Sequence, residues 1–190
     1  LNVLSFATER LSNKTAGFMS LIELLKAKKI QQQYVSAGDH WQLSDGVELL
    51  IAGPDETFLE RTDPDGIITD SAESGSLIAD VHYGEFTLLL TGDAPVAEVE
   101  EVAKELTNSV DILQSPHHGS NTGINESVLR QLSPDAIVIS VGKDNTYGHP
   151  TKSVLELYTK YELPVFRTDQ RGDIDIVSDG EKWWMKGIEK

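Results

Sequence analysis

Three short segments carry side chains that could do chemistry, and each of them follows a predicted strand. Asp93 comes directly after an apolar strand and a glycine, and His117 and His118 stand side by side after the next strand. His149 precedes Pro150 at the start of a predicted helix. Strand ends are where α/β folds place functional groups, because the rigid sheet aims them into a cleft. One carboxylate and up to three imidazoles suit zinc or manganese, so the sequence predicts a metal site at one edge of a sheet.

The composition narrows the chemistry of such a site. The chain has no cysteine, which excludes disulfides and thiolate ligands and leaves His, Asp and Glu to hold a metal. Lys and Arg number 16 against 31 Asp and Glu, which gives a formal net charge of −15. A surface this acidic repels phosphate backbones and argues against generic coating of nucleic acid. A phosphodiester substrate that binds through a metal ion remains possible, because the ion supplies local positive charge.

The hydrophobic pattern indicates one α/β domain that spans residues 1–190. Turn signals at Asp45-Gly46 and Tyr83-Gly84 indicate hairpins in the first half, whereas strands alternate with helices in the second. Helices are predicted over residues 17–29, 94–106, 125–132 and 151–161. Strands are predicted over residues 3–6, 33–37, 41–43, 47–51, 76–83, 85–91, 110–114, 136–141, 164–167, 173–177 and 182–185.

The stretch from Gly53 to Ser76 is predicted to be a long surface loop, because it is rich in proline, glycine and acids. Within it, residues 63–66 read Asp-Pro-Asp-Gly, as in a calcium-binding loop. The register fails, since Arg61 stands where the first acid belongs and Ala72 where the bidentate Glu belongs. We therefore predict a plain turn there.

The remaining histidines and the tryptophan pair are expected to be structural. His40 lies beside a tryptophan, and His82 falls in an alternating strand, so both are predicted to be surface or half-buried residues. Trp183 and Trp184 are predicted to serve core packing and a sheet edge rather than to form a stacking platform.

No segment of the sequence predicts a membrane span or a signal peptide. The longest apolar candidate runs from Phe18 to Ile30 and is interrupted by charged residues, whereas a span needs about 20 apolar residues. The first residues are too short and uncharged for a secretory leader. The compartment stays undetermined.

Taken together, the motifs resemble the ComEC-type branch of the metallo-β-lactamase superfamily. The matching segments, in order and with the right spacing, are Leu89–Asp93, Pro116–Ser120, Ile139–Gly142, Tyr147–Pro150 and Phe166–Asp169 with Gly172. Weaker matches are residues 73–77 and 37–46, and the resemblance runs from about Gly17 to Gly180. It implies an αββα sandwich with helices outside two sheets, and hydrolysis of a phosphodiester or related ester by metal-bound hydroxide.

The resemblance also implies roles for the residues singled out above. Asp93 and one or both of His117 and His118 would hold a divalent metal, zinc or manganese. His118 and His149 are the candidate catalytic residues, with His149 as a further metal ligand, as an acid or as a group that orients the substrate.

The chain departs from that family at its first metal-binding motif. The superfamily has H-x-H-x-D-H between an early strand and helix, but residues 5–17 here contain no His, and Glu9 is their only acid. Asn13-Lys14 stands where Asp-His is expected. The family's first strands have no counterpart ahead of Leu1, which implies a partial sandwich with an unpaired sheet edge. Full two-metal chemistry is hard to build from the ligands that remain.

Two functions therefore stay open. One is a metal-dependent hydrolase, impaired by the absent motif, that acts on a small phosphoester or nucleic-acid-like substrate. The other is a non-catalytic binding or assembly module that keeps the fold and binds one metal ion weakly or none. The intact downstream motifs favour the enzyme, and residues 5–17 favour the module. Under either function we expect a homo-oligomer that covers the sheet edge, and no membrane partner.

Overall fold

The computed structural model describes residues 3–12, 14–62, 65–67 and 75–186. Within these ranges the chain forms a mixed seven-stranded sheet with helices packed on it, together with two sheets of two strands each. The α/β class predicted from the sequence is confirmed. No helix in the described ranges is both long and apolar enough to cross a membrane.

The elements follow the predicted order closely. The strands are β1 (Ser5–Thr8), β2 (Gln31–Tyr34), β3 (His40–Gln42), β4 (Val47–Gly53), β5 (Ile78–Tyr83), β6 (Phe86–Leu90), β7 (Ile112–Gln114), β8 (Ala136–Ile139), β9 (Val165–Arg167), β10 (Ile176–Ser178) and β11 (Trp183–Met185). The helices are α1 (Ala16–Ala27), α2 (Glu56–Thr62), α3 (Val96–Glu105), α4 (Glu126–Leu132), α5 (Lys152–Lys160) and α6 (Thr168–Arg171).

The large sheet has the strand order β3-β4-β5-β6-β7-β8-β9. The strands from β3 to β6 are antiparallel neighbours, and the strands from β6 to β9 are parallel neighbours. Short turns join β3 to β4 and β5 to β6, and a longer connection that contains α2 joins β4 to β5. Helices α3, α4 and α5 cross over between the parallel strands. The carboxyl ends of β6, β7 and β8 consequently lie at one edge of the sheet.

Each face of the parallel half of the sheet is covered. On one face, α3, α4 and α5 pack on fully buried strand residues, among them Leu89, Leu113 and Ile137. On the other face, Ile112 belongs to a smaller cluster against which Trp183 of β11 packs. Burial from both sides explains why these strands read as continuous apolar runs. Trp183 therefore contributes to the core as predicted, while Trp184 is 45% exposed.

The prediction of one long surface loop from Gly53 to Ser76 is wrong, because part of this stretch is helix α2. The carboxylate of Asp55 accepts a hydrogen bond from the backbone N–H of Phe58, which caps the first turn of the helix. Phe58 and Leu59 are buried at 3% and 6% exposure, so the helix is held by packing. Residues 63–64 and 68–74 lie outside the described residues, and with them half of the turn predicted at residues 63–66.

Helix α3 carries an ionisable side chain into this core. Glu98 is 1% exposed, and neither of its carboxyl oxygens has a hydrogen-bond partner in the described part of the chain. Burial, followed by the negative charges of Glu101 and Asp55, raises the pKa of Glu98 to about 9. The carboxyl group of Glu98 is therefore protonated in the folded chain at neutral pH.

This proton makes stability depend on pH in a defined direction. The pKa of Glu98 is raised from 4.5 to about 9 on folding. The stabilisation of the folded state by the bound proton is therefore complete below pH 4.5 and is lost as the pH rises toward 9. We expect Glu98→Gln to gain stability relative to the wild type across this window, by about 1.4 kcal/mol per pH unit. Urea unfolding of both proteins at several pH values measures the difference.

Glu60→Gln provides the matched control, because Glu60 is an exposed residue of the neighbouring helix α2. Its stability should follow that of the wild type at every pH. A stability difference between Glu98→Gln and the wild type that is the same at low and high pH would contradict the assignment of the proton to Glu98.

Candidate functional site

The connections that follow β6 and β7 are tied to each other beyond the end of the sheet. The backbone N–H of His117 donates to the carbonyl of Gly92 over 3.0 Å. The hydroxyl of Thr91 donates to the carbonyl of Gln114 over 2.9 Å, and Thr91 is fully buried. These bonds fix Asp93, which follows Gly92, relative to the histidine turn.

The turn that carries the two histidines has an unusual backbone. His117 and His118 have φ values of 47° and 54°, in the left-handed region that side chains other than glycine rarely adopt. Such residues persist only where the surroundings hold them, and they cluster at functional sites. Here Ser115, directly before the turn, holds one end through a buried hydrogen bond of 2.7 Å to the hydroxyl of Tyr158 in α5.

Gly119 holds the other end of the turn against the segment that carries His149. A Cβ atom at Gly119 would lie 2.6 Å from the Cβ of Pro150, so only glycine permits this approach. The carbonyl of Gly119 also accepts a hydrogen bond of 2.9 Å from the backbone N–H of Thr151. The start of α5 is thereby anchored beside the histidine turn.

Asp93 and His118 face each other across the site. The Oδ1 atom of Asp93 lies 3.4 Å from Nε2 of His118, and both side chains are about half exposed, at 48% and 47%. The Nδ1 atom of His118 lies 2.6 Å from the carbonyl oxygen of Ser140, just beyond β8. Because a carbonyl can only accept, Nδ1 carries a proton and donates it. The Nε2 atom is thus the one that can meet a proton or a cation shared with Asp93.

The other two histidine rings adjoin this pair. The ring centroids of His117 and His118 are 6.3 Å apart, and those of His117 and His149 are 5.5 Å apart. The Nδ1 atom of His117 lies 3.2 Å from the hydroxyl of Thr122. The residues predicted from their positions at strand ends, Asp93 with the three histidines, are therefore brought together. Their assignment as metal ligands or catalytic groups stays a prediction.

A cleft of about 520 Å³ opens beside the histidines. His118 and His149 line it together with the loop after β8 and Thr168. At its rim, Tyr147 is 83% exposed, and its ring stacks on that of His149 with 13° between the planes and 6.3 Å between the centroids. The cleft therefore combines imidazoles with an exposed aromatic face.

Asn145 is a residue of the site that sequence reasoning missed. Its amide nitrogen donates to the carbonyls of Gly142 and His149 over 3.1 and 2.9 Å, and its Oδ1 accepts from the backbone N–H of His149 over 3.2 Å. The loop that carries Tyr147 and His149 is closed by this one side chain. An asparagine between glycines signals such a turn, because its amide can bond to nearby backbone groups.

Residues 5–17, where the first metal-binding motif was expected, form β1 and the start of α1. Glu9 accepts a hydrogen bond of 2.9 Å from the hydroxyl of its neighbour Thr8. Arg10 pairs with Glu56 over 3.1 Å. Asn13, which was predicted to stand where a metal-ligating Asp is expected, lies outside the described residues.

The described residues do not fit a catalytic metal centre. Nowhere among them do three or more His, Asp or Glu side chains form a group that could hold a metal ion. A catalytic zinc site uses three protein ligands and an open position. Asp93 and His118 supply two opposed donors, and no third His, Asp or Glu among the described residues joins them in a group that could hold a metal ion.

Comparison with known proteins finds similar segments in much longer chains. The chain is 31% identical over 165 residues to ComE operon protein 3 of Bacillus subtilis, which covers 83% of this chain and 20% of that protein. It is 34% identical over 113 residues to Recombination protein 2 of Haemophilus influenzae, and this match covers 60% of this chain and 14% of that protein. It is 30% identical over 142 residues to Competence protein ComA of Neisseria gonorrhoeae, and this match covers 74% of this chain and 19% of that protein.

The names of these relatives indicate a competence-related family. The chain spans a fifth of their length or less, so it corresponds to one segment of each. No protein-family model matches the chain.

The role of Asn145 can be tested through the backbone that it holds. We expect Asn145→Ala to release the amide of His149, so that hydrogen exchange across residues 145–150 rises about tenfold or more, as for a loop that opens locally. Exchange followed by mass spectrometry measures this. Asp144→Ala, at the exposed neighbouring position, is the control and should leave the exchange unchanged. Equal protection in both variants would contradict the clamp.

Proposed function

We propose that the chain is a phosphate-ester-binding domain of a competence-related protein, with the scaffold of a metal-dependent hydrolase but without a complete metal centre of its own. The observation that carries the proposal is the pairing of Asp93 with His118 beside two further imidazoles, without a third convergent ligand among the described residues. The resemblance to the metallo-β-lactamase superfamily supports the scaffold. The names of the relatives support a DNA-related context.

The chemistry of the cleft favours a phosphate ester over other ligands. Imidazole N–H groups donate hydrogen bonds, and a protonated imidazole adds positive charge where the rest of the chain is acidic. The Oδ1 atom of Asp93 lies 3.4 Å from Nε2 of His118, and Nδ1 of the same ring donates to the carbonyl of Ser140, so both partners orient this imidazole in the cleft. The aromatic face of Tyr147 would contact a planar group attached to the phosphate.

A metal-dependent hydrolase is the second candidate, and one observation favours it. Metal-ligating histidines commonly donate their other ring N–H to a backbone carbonyl, as His118 does to Ser140. Such an enzyme would need a ligand beyond Asp93 and His118, from residues that do not converge with them in the described part of the chain. The first function therefore accounts for more of what the site contains.

Metal content separates the two candidates. We expect dialysed protein to retain at most one transition metal ion per chain, and that one weakly, because the described residues provide two opposed donors, Asp93 and His118, and no group of three. Elemental analysis after incubation with zinc or manganese and dialysis measures the retained ion. Two tightly held ions per chain would overturn the proposed function and favour the metal-dependent hydrolase.

Binding tests the role of His118 directly. We expect His118→Ala to weaken binding of a fluorescent dinucleotide about tenfold, the effect of losing one charge-assisted hydrogen bond to a phosphate. Fluorescence anisotropy gives the dissociation constants. His40→Ala is the matched control, because His40 is exposed on β3 away from the cleft. The proposal is wrong if both variants bind like the wild type, or if neither they nor the wild type bind at all.

A further inference from the structure

A second cavity lies between β4, α2 and α3, and it shares no lining residue with the histidine cleft. Its volume is about 650 Å³. Apolar side chains make up much of its wall, including Leu50, Phe58, Val102 and Leu106. Four acidic residues also line it, and these are Asp55, Glu98, Glu101 and Glu105.

The buried carboxyl group of Glu98 distinguishes this cavity from an ordinary acidic surface. Glu98 lines the cavity, it is 1% exposed, and both of its oxygens lack a partner among the described residues. Its Oε1 atom lies against the backbone of Gly53, where a Cβ atom would come within 3.3 Å of it. A buried polar group normally has a hydrogen-bond partner, and one without it calls for an explanation.

The groups around Glu98 leave this carboxyl without a counter-ion from the described part of the chain. Glu101 pairs with Arg61 over 2.8 Å, and the carboxylate of Asp55 caps α2. Lys104 lines the cavity but forms no ion pair with Glu98 in the described structure. The wall at Glu98 thus presents acids to the cavity, and a cation is the complementary ligand.

The shape and composition of the cavity select among cations. The described residues contain no group of three His, Asp or Glu that could hold a metal ion, which argues against a bare divalent cation. A ligand with an aliphatic stem would cover the apolar walls, while an ammonium group would pair with the carboxyl. An anion would meet four acids, and a neutral apolar ligand would leave Glu98 without a partner.

We propose that this cavity binds a small aliphatic ammonium compound, with Glu98 as its counter-ion and Asp55, Glu101 and Glu105 near its charged end. The proposal is independent of the function assigned to the histidine cleft. Because Glu98 holds a proton when the cavity has no cation, binding would release that proton. Affinity would therefore rise with pH as long as the amine stays charged.

Calorimetry with cadaverine tests the proposal on the full chain. We expect saturable binding that tightens about tenfold per pH unit between about pH 6 and pH 8, where an amine with a pKa near that of lysine stays charged. Titrations in two buffers of different ionisation enthalpy should show release of about one proton per bound cadaverine near pH 7. The neutral diol of the same length should not bind.

Variants locate the site. Glu98→Gln keeps the size of the side chain and should weaken cadaverine binding at about pH 8 at least tenfold. Glu60→Gln removes the same charge from the exposed face of α2 and should bind like the wild type. The proposal is overturned if cadaverine does not bind, if the diol binds equally well, or if both variants lose affinity to the same extent. The proton release measured with the wild-type protein tests the proposal even if a variant fails to fold.

Discussion

Parallel pairing of β6, β7 and β8 is the constraint on which the site depends. Leu89 pairs with Leu113, and Leu113 with Ile137, and all three are fully buried between two layers. A shift of one residue in this register would turn each side chain to the opposite face of the sheet. The packing that fixes the register therefore also fixes where each strand ends, and with it the positions of Asp93, the histidine turn and Ser140.

Those strand ends explain which parts of the site could be predicted from the sequence. Asp93, His117, His118 and His149 each follow a strand, and the regular strand-helix alternation sends such residues to one edge. The contacts that organise them could not be predicted in the same way. The bond from the His118 ring to the carbonyl of Ser140 and the approach of Pro150 to Gly119 each join residues that are far apart in the sequence, and no local sequence pattern shows which segments meet.

Helix α2 was not predicted from the sequence, and the burial of Glu98 beside it was not predicted either. Its sequence is rich in acids and follows a proline, which favours a loop, yet Phe58 and Leu59 bury themselves and hold the helix in place. Glu98, in the first turn of α3, has a position that the helix dipole favours for an exposed acid. In the structure Glu98 lies against Gly53 of β4 and lines a cavity that Phe58 of α2 also lines, and neither neighbour can be inferred from the helical pattern of α3.

The two carboxyl groups, Asp93 and Glu98, are held in opposite electrostatic settings only five positions apart in the chain. Asp93 is half exposed and lies 3.4 Å from the imidazole of His118. Glu98 is buried and its carboxyl oxygens have no hydrogen-bond partner among the described residues, and its pKa is raised to about 9, with burial as the largest cause. The helix dipole cannot explain the difference. Because packing determines burial, the packing of α3 against β4 assigns the two acids their different chemistry.

The left-handed backbone at His117 and His118 bears on whether the histidine site is a relic. Two such residues cost about 1 kcal/mol or more each, and a turn free of any role would be relieved of that cost by substitution with glycine or asparagine. The surrounding bonds, from Gly92, Tyr158 and Thr151, hold the turn regardless of a metal. The strained turn places the imidazole of His118 opposite Asp93, which is consistent with the binding role proposed for this site.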